Sequence, residues 1–252
     1  MDSLTVMMKG QTASIDLYGP IGAMPGGVMA DDFVGALSEA KSFGVDNLHV
    51  NLNSPGGDYA EGIAMYHRLM QAGESMKVTT TVEGKAYSAT SLLMLAGHER
   101  QMLHGTRAMV HEGSMMSGGN AAELEKKVAI LRDINDEAAA IYADRTNWSL
   151  SEAKEKMAAE TWLNADDAYK AGFTTVAPTG EVVSRAALHV PESMFALYKH
   201  PPQEVTREHV EAVGATAELR QKADEMRARM RGDAETAQAR EDYRRLQQQL
   251  TR

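Results

Sequence analysis

The chain has 252 residues, with 26 Lys plus Arg against 35 Asp plus Glu and a formal net charge of −9. That length suits one domain with an appendage, or two small domains, and can bury a real core. The charge argues against a broad cationic surface for nucleic acid or anionic membrane, and the absence of cysteine rules out a disulfide framework, a thiolate nucleophile and Cys-ligated metal centres.

Met1-Asp2-Ser3-Leu4 shows no basic segment leading into an apolar run, so no secretory signal is visible. No apolar run approaches the roughly 18 residues needed to span a membrane. The expectation is a soluble intracellular protein, cytoplasmic in location, with neither nucleic acid nor membrane as a partner.

In chain order, Ala13 to Tyr18 alternates as a half-buried strand and stops at Gly19-Pro20. Phe33, Leu37 and Ala40 share a helical face, and Leu48 to Leu52 reads as a strand with Leu48, Val50 and Leu52 on one side. A helix through Ile63 and Met70 follows Ser54-Pro55-Gly56-Gly57, with Asp58 and Glu61 spaced as an N-terminal cap. Val78 to Val82 is a further strand, Ser88 to Ala96 an apolar helix, and Arg107 to His111 a short strand. Ala121 to about Arg145 is a long helix carrying Leu124, Val128, Leu131, Ala138 and Ile141. Ser149 with Glu152, and Asn164 with Asp167, cap two more helices, the second ending at Gly172. Strand and helix recurring at this spacing predict an α/β layer structure.

Composition changes near residue 203. From Glu204 to Arg252 there are ten acidic and ten basic residues, so the whole net charge sits on the preceding body. This tail is dense in Ala, Glu, Gln, Arg and Met, which favour helix. It reads as a solvated helix or as a coiled-coil or partner-binding arm, joined through the stiff Pro201-Pro202.

Three places could carry chemistry. Asn53-Ser54-Pro55-Gly56-Gly57 lies between a strand and a helix, where adjacent glycines let backbone N–H groups approach a substrate. By itself it is also an ordinary turn. Gly84-Lys85-Ala86-Tyr87-Ser88-Ala89 sits at a second strand-to-helix junction, with Ser88 in the first turn as either nucleophile or simple N-cap. His111 ends a strand beside a Gly/Ser-rich stretch, either as a structural histidine or as one placed to reach a neighbouring serine. His98 and His104 belong to a surface turn, and no HExxH or other close metal-ligand pair occurs. Gly-x-Ser-x-Gly and the phosphate-cradling GxxxxGK[ST] are both absent.

Taken together, Asn53-Ser54-Pro55-Gly56-Gly57, Gly84-x-Ala86-x-Ser88-Ala89, Arg107-Ala108-Met109-Val110-His111 and Ala159 to Gly172 resemble the Clp protease proteolytic subunit family over roughly residues 12 to 178. The wording Glu160-Thr161-Trp162-Leu163 and the tail after Pro191 look most like the phage-encoded head maturation branch. The resemblance implies a ClpP/crotonase-like α/β fold with repeated β-β-α units, a peptidase domain over 1–190, and a linker with charged helical tail over 191–252. It makes Ser88 the nucleophile, His111 the general base and Glu160 the triad acid, with the Gly57 and Ala89 amides as oxyanion donors. Many members have aspartate where Glu160 stands, so the alternative is a surface Glu160 with His111 held by a backbone carbonyl or by another acid such as Asp144 or Asp166. Gly56, Gly113, Ser114 and Met115 would bind the substrate strand. No cofactor or metal is implied.

The partners implied are a protein or peptide substrate (scaffold and capsid proteins for the phage branch), further copies of the chain in a ring, and, as in cellular members of the family, a separate ATP-dependent unfoldase. The compartment would be the host cytoplasm or the phage prohead. Two other readings stand beside it: a non-catalytic scaffold or shell protein keeping the fold for assembly, and a crotonase-like acyl-CoA enzyme. An activated serine separates the last from a peptidase.

Overall fold

The structure is a computed structural model and describes residues 3–178. The expected charged tail and the boundary at 190/191 lie outside the described residues.

The described chain runs β1 (Leu4–Lys9), β2 (Thr12–Tyr18), α1 (Ala30–Ser42), β3 (Asn47–Ser54), α2 (Tyr59–Ala72) and β4 (Lys77–Tyr87). It continues through α3 (Ala89–Leu93), a 3₁₀ turn (Met94–Ala96), β5 (Glu99–Met102), β6 (Arg107–Val110), α4 (Ala121–Arg145), α5 (Leu150–Ala158), β7 (Thr161–Asn164) and α6 (Ala165–Lys170). One sheet holds all seven strands in the order β1-β2-β3-β4-β6-β7, with β5 also pairing β4. The centre is parallel, because α1 and α2 return the chain to the same end before β3 and β4. Antiparallel partners, β1 and β7, close the outer ends of this path.

The period-two pattern of the sequence is what this sheet uses. Ala13, Leu48 and Val78 lie in one row across β2, β3 and β4, and Leu17, Leu52 and Val82 in another. All six are fully buried. The alternate residue His49 is exposed, as a strand period of two requires. Phe33, Ala36, Leu37 and Ala40 of α1 and Met65, Tyr66, Leu69 and Ala72 of α2 are buried with these rows in one core. Each large apolar side chain taken out of water there contributes about 1.5–3 kcal/mol. The expected caps form: Asp58 accepts the N–H of Glu61, Ser149 that of Glu152, and Asn164 that of Asp167.

Strand β4 does more than its sequence suggested. Its first half, Thr79 to Val82, pairs with β5, and its last residues, Lys85 to Tyr87, pair with β6 along the same edge. Between them the register with β3 shifts, from Leu52 opposite Val82 to Ser54 opposite Ala86. This irregularity extends the strand to the position just before Ser88.

The long helix departs from expectation in one respect. Its C-terminal part buries Ala138, Ala139 and Tyr142, whereas Leu124 and Val128 are 39% and 45% exposed. The apolar stripe continues beyond the part of α4 that the rest of the described chain covers. The turn expected around His98 is also partly strand: Glu99–Met102 forms β5, and His98 Nδ1 accepts the N–H of Val78 at 3.1 Å.

Candidate active site

Three neighbouring strands deliver three side chains to one end of the sheet. β4 and β6 are in parallel register with Tyr87 opposite Met109, and the Ser88 N–H donates to the Met109 carbonyl at 2.8 Å. Ser88 and His111 therefore emerge side by side, one residue beyond β4 and one beyond β6. Their side chains meet, with His111 Nε2 2.7 Å from Ser88 Oγ. A serine hydroxyl can donate to that nitrogen only if the ring's proton is on Nδ1.

Ser88 caps α3 by position but not by side chain. Its φ and ψ are 55° and −126°, and its hydroxyl makes no cap hydrogen bond, which leaves Oγ for the imidazole. A positive φ costs an L-residue roughly 1–3 kcal/mol and persists only where the surroundings enforce it. Here they do, through the Ser88 N–H bond to β6 and the Ser91 N–H bond back to the Ser88 carbonyl at 2.8 Å.

Glu160 arrives from the other side. β6 and β7 are antiparallel with Val110 opposite Thr161, so the same register carried one step further sets Glu160 against His111. Glu160 is 5% exposed, whereas Asp144 and Asp166 are both exposed. It takes φ 52°, its N–H donates to the Met157 carbonyl, and Trp162 Nε1 donates to its Oε1 at 3.4 Å. Trp162 in turn packs edge-on against Tyr87, with ring centroids 4.9 Å apart. Among the described residues, Ser88 and Glu160 are the two non-glycines with positive φ.

The glycine loop lies directly against this turn. A Cβ on Gly56 would stand 2.4 Å from the Tyr87 carbonyl oxygen and 2.7 Å from Ser88 Cβ, so no side chain fits. Gly57, at φ 149°, is equally constrained, since a Cβ there would come within 1.9 Å of the Ile21 carbonyl oxygen. Backbone bonds from Ile21 N–H to Gly56 O and from Asp58 N–H to Ile21 O hang the loop on the segment after β2. On the other flank, Gly113 N–H donates to Asn135 Oδ1 of α4 at 2.7 Å. Ser114 and Met115 beyond it are exposed.

Ser88, His111 and the Gly56-Gly57 loop thus lie at one end of β3, β4 and β6, with Glu160 beside His111 in the β6–β7 register. Three others at this end are not marked by any motif, Thr90, Ser91 and Tyr142, and with Ser54 of the glycine motif they form hydroxyl bridges. Two hydroxyl residues inside the apolar run from Ala89 to Ala96 were the available signal, because a buried hydroxyl has to find a partner.

Comparison with known proteins fits the geometry. The sequence profile of the family described as Clp protease matches residues 12–178. The chain belongs to the Clp protease family. It is 32% identical over 128 residues to an ATP-dependent Clp protease proteolytic subunit of Chlorella vulgaris, covering 50% of this chain and 63% of that protein. With ATP-dependent Clp protease proteolytic subunit 2 of Tropheryma whipplei (strain Twist) it shares 25% identity over 130 residues, or 51% of this chain and 71% of that one. The match thus spans less than two thirds of the Chlorella vulgaris relative's length. Among the described residues no helix is long and apolar enough to cross a membrane, and no group of three His, Asp or Glu side chains is placed to hold a metal.

Proposed function

We propose that this chain is a serine endopeptidase, with Ser88 as nucleophile, His111 as general base and Glu160 as the carboxylate that orients the imidazole. The observation that carries this reading is the 2.7 Å contact of His111 Nε2 with Ser88 Oγ in a residue whose backbone is held at positive φ. His111 takes the hydroxyl proton as Ser88 attacks a peptide carbonyl. The amides of Gly57 and Ala89 hold the oxyanion, and His111 returns the proton to the leaving amine. Water then attacks the acyl carbon as His111 takes its proton, and His111 returns that proton to Ser88 Oγ as the acyl group leaves as a carboxylic acid. Each oxyanion donor is worth about 3 kcal/mol of barrier.

Substrate would lie as an added strand along Gly56 on one side and Gly113, Ser114 and Met115 on the other, where Ser114 and Met115 are exposed. The wording around Trp162 and the charged tail support the head maturation branch, in which the enzyme processes scaffold and capsid proteins inside an assembling shell. In that reading the peptidase domain is residues 1–190, and 191–252 is the linker and tail. Copies of the chain enclose the site in a ring within the host cytoplasm or prohead. A separate ATP-driven unfoldase supplies any need for ATP, and no cofactor or metal is required.

A fluorophosphonate probe tests the chemistry. The assembled protein should acquire one adduct, located by mass spectrometry on Ser88, and Ser88→Ala should abolish both labelling and peptide cleavage. An assembled protein that stays unlabelled, or a Ser88→Ala variant that cleaves peptides as well as the parent, overturns the assignment. The phage role predicts portal and major capsid genes beside this one and trimming of their capsid or scaffold proteins on co-expression, and it fails if neither protein is trimmed.

A further inference from the structure

Thr90 is the second residue of α3 and is fully buried. Its Oγ1 donates to Ser54 Oγ at 2.8 Å, and the same Ser54 oxygen accepts the backbone N–H of Gly56 at 3.1 Å. Ser54 is also fully buried. A single hydroxyl oxygen therefore receives one hydrogen from the glycine loop and one from the start of α3. The loop carries the Gly57 amide, and the helix start carries Ser88 and the Ala89 amide.

β3 and β4 pair as far as Ser54 opposite Ala86, and beyond that pairing the loop and the helix start are hung on different parts of the fold. The loop is tied to Ile21 by backbone bonds, and Ser88 is tied to Met109 of β6. Steric contact sets how closely the two can approach, because Gly56 already lies where a Cβ would strike the Tyr87 carbonyl and Ser88 Cβ. Contact sets only a lower limit. An upper limit needs an attraction, and the Thr90–Ser54–Gly56 bridge supplies one without water, since both hydroxyl residues are buried. In so dry a place a hydrogen bond is strong and its geometry is enforced.

We infer that Thr90 and Ser54 are positioning residues that fix the distance between the Gly57 and Ala89 amides, and hence their convergence on one oxyanion. The inference rests on the serine-peptidase reading. Neither side chain touches substrate in this scheme; both act through the backbone groups they hold.

Thr90→Val keeps the shape and removes the donor, and Thr90→Ser restores it. In assembled protein, phosphonylation of Ser88 by a fluorophosphonate should slow roughly 10–100-fold in Thr90→Val, the scale expected when catalytic groups are displaced and not deleted. With a peptide substrate kcat should fall alike, KM should hold, and the pH at which the His111-dependent limb rises should not move. Thr90→Ser should recover most of the rate. A purely structural threonine would lower thermal stability and leave the labelling rate of folded protein unchanged, and that result overturns the inference. If Thr90→Val does not fold, Ser54→Ala removes the acceptor at the other end, and labelling at the parental rate there is equally fatal. A parent protein unlabelled at Ser88 is a different outcome, because it removes the peptidase reading itself.

Discussion

Strain in the described chain is placed at two side chains of the candidate triad. Ser88 and Glu160 sit at φ 55° and 52°, each immediately beyond the regular pairing of a strand. A residue forced out of extended geometry at a strand end turns its side chain away from the sheet's alternation, and at Ser88 this brings Oγ to the His111 imidazole. Glutamate is one methylene longer than aspartate, so its carboxyl reaches a given point only from a different backbone offset. The left-handed turn at Glu160 is a means of providing that offset. The expected consequence is specific: Glu160→Gln should lower kcat by on the order of 10²–10⁴-fold with KM little changed, because the amide no longer holds the productive imidazole tautomer. Steady-state kinetics on assembled protein check it. An unchanged kcat would return Glu160 to a structural role.

At the scale of elements, the strands that build the core were legible, and the pieces that frame the site were less so. Leu48, Val50 and Leu52 alternate with polar neighbours, and period two has one structural meaning on a half-covered sheet. β5 and β7 have four residues each, too short for any period to declare itself. Thr161 to Asn164 is a strand because β6 offers it an open edge, which is a tertiary fact. The contact between Ser88 and His111 was legible only as a resemblance, since it depends on β4 pairing with β6 along part of an edge that β5 also uses. The long helix shows the opposite failure: its stripe of Leu124, Val128 and Leu131 is real, but periodicity cannot say what covers it. If further copies of the chain do, as a ring predicts, Leu124→Gln with Val128→Gln should leave helical content intact and reduce native mass. Exposed positions seldom shift stability by more than about 0.5 kcal/mol, so a fall in mass without a fall in melting temperature would report the interface. Unchanged mass would remove α4 from it.

Across the described molecule, two guanidinium groups join segments far apart in sequence. Arg100 donates to the carbonyls of Arg145, Gly172 and Phe173, and Arg145 donates to those of Leu95 and Gly97. The ends of the 3₁₀ turn and of α4, and the turn after α6, are thereby satisfied by cations, which carbonyls left over at chain ends favour. The cost is that two like charges share a half-buried place. Burial, and then Arg145, hold the Arg100 group below its ordinary pKa. Such an arrangement is stable only because each fork serves several fixed acceptors at once. A compact ammonium cannot do that from one position. Arg145→Lys should therefore destabilise despite keeping the charge, by about 1–3 kcal/mol, the cost of leaving buried carbonyls unpaired. Urea unfolding measures it as a lower midpoint at unchanged slope. If the charge alone mattered, lysine would restore full stability, and the forked geometry would not be what ties these chain ends together.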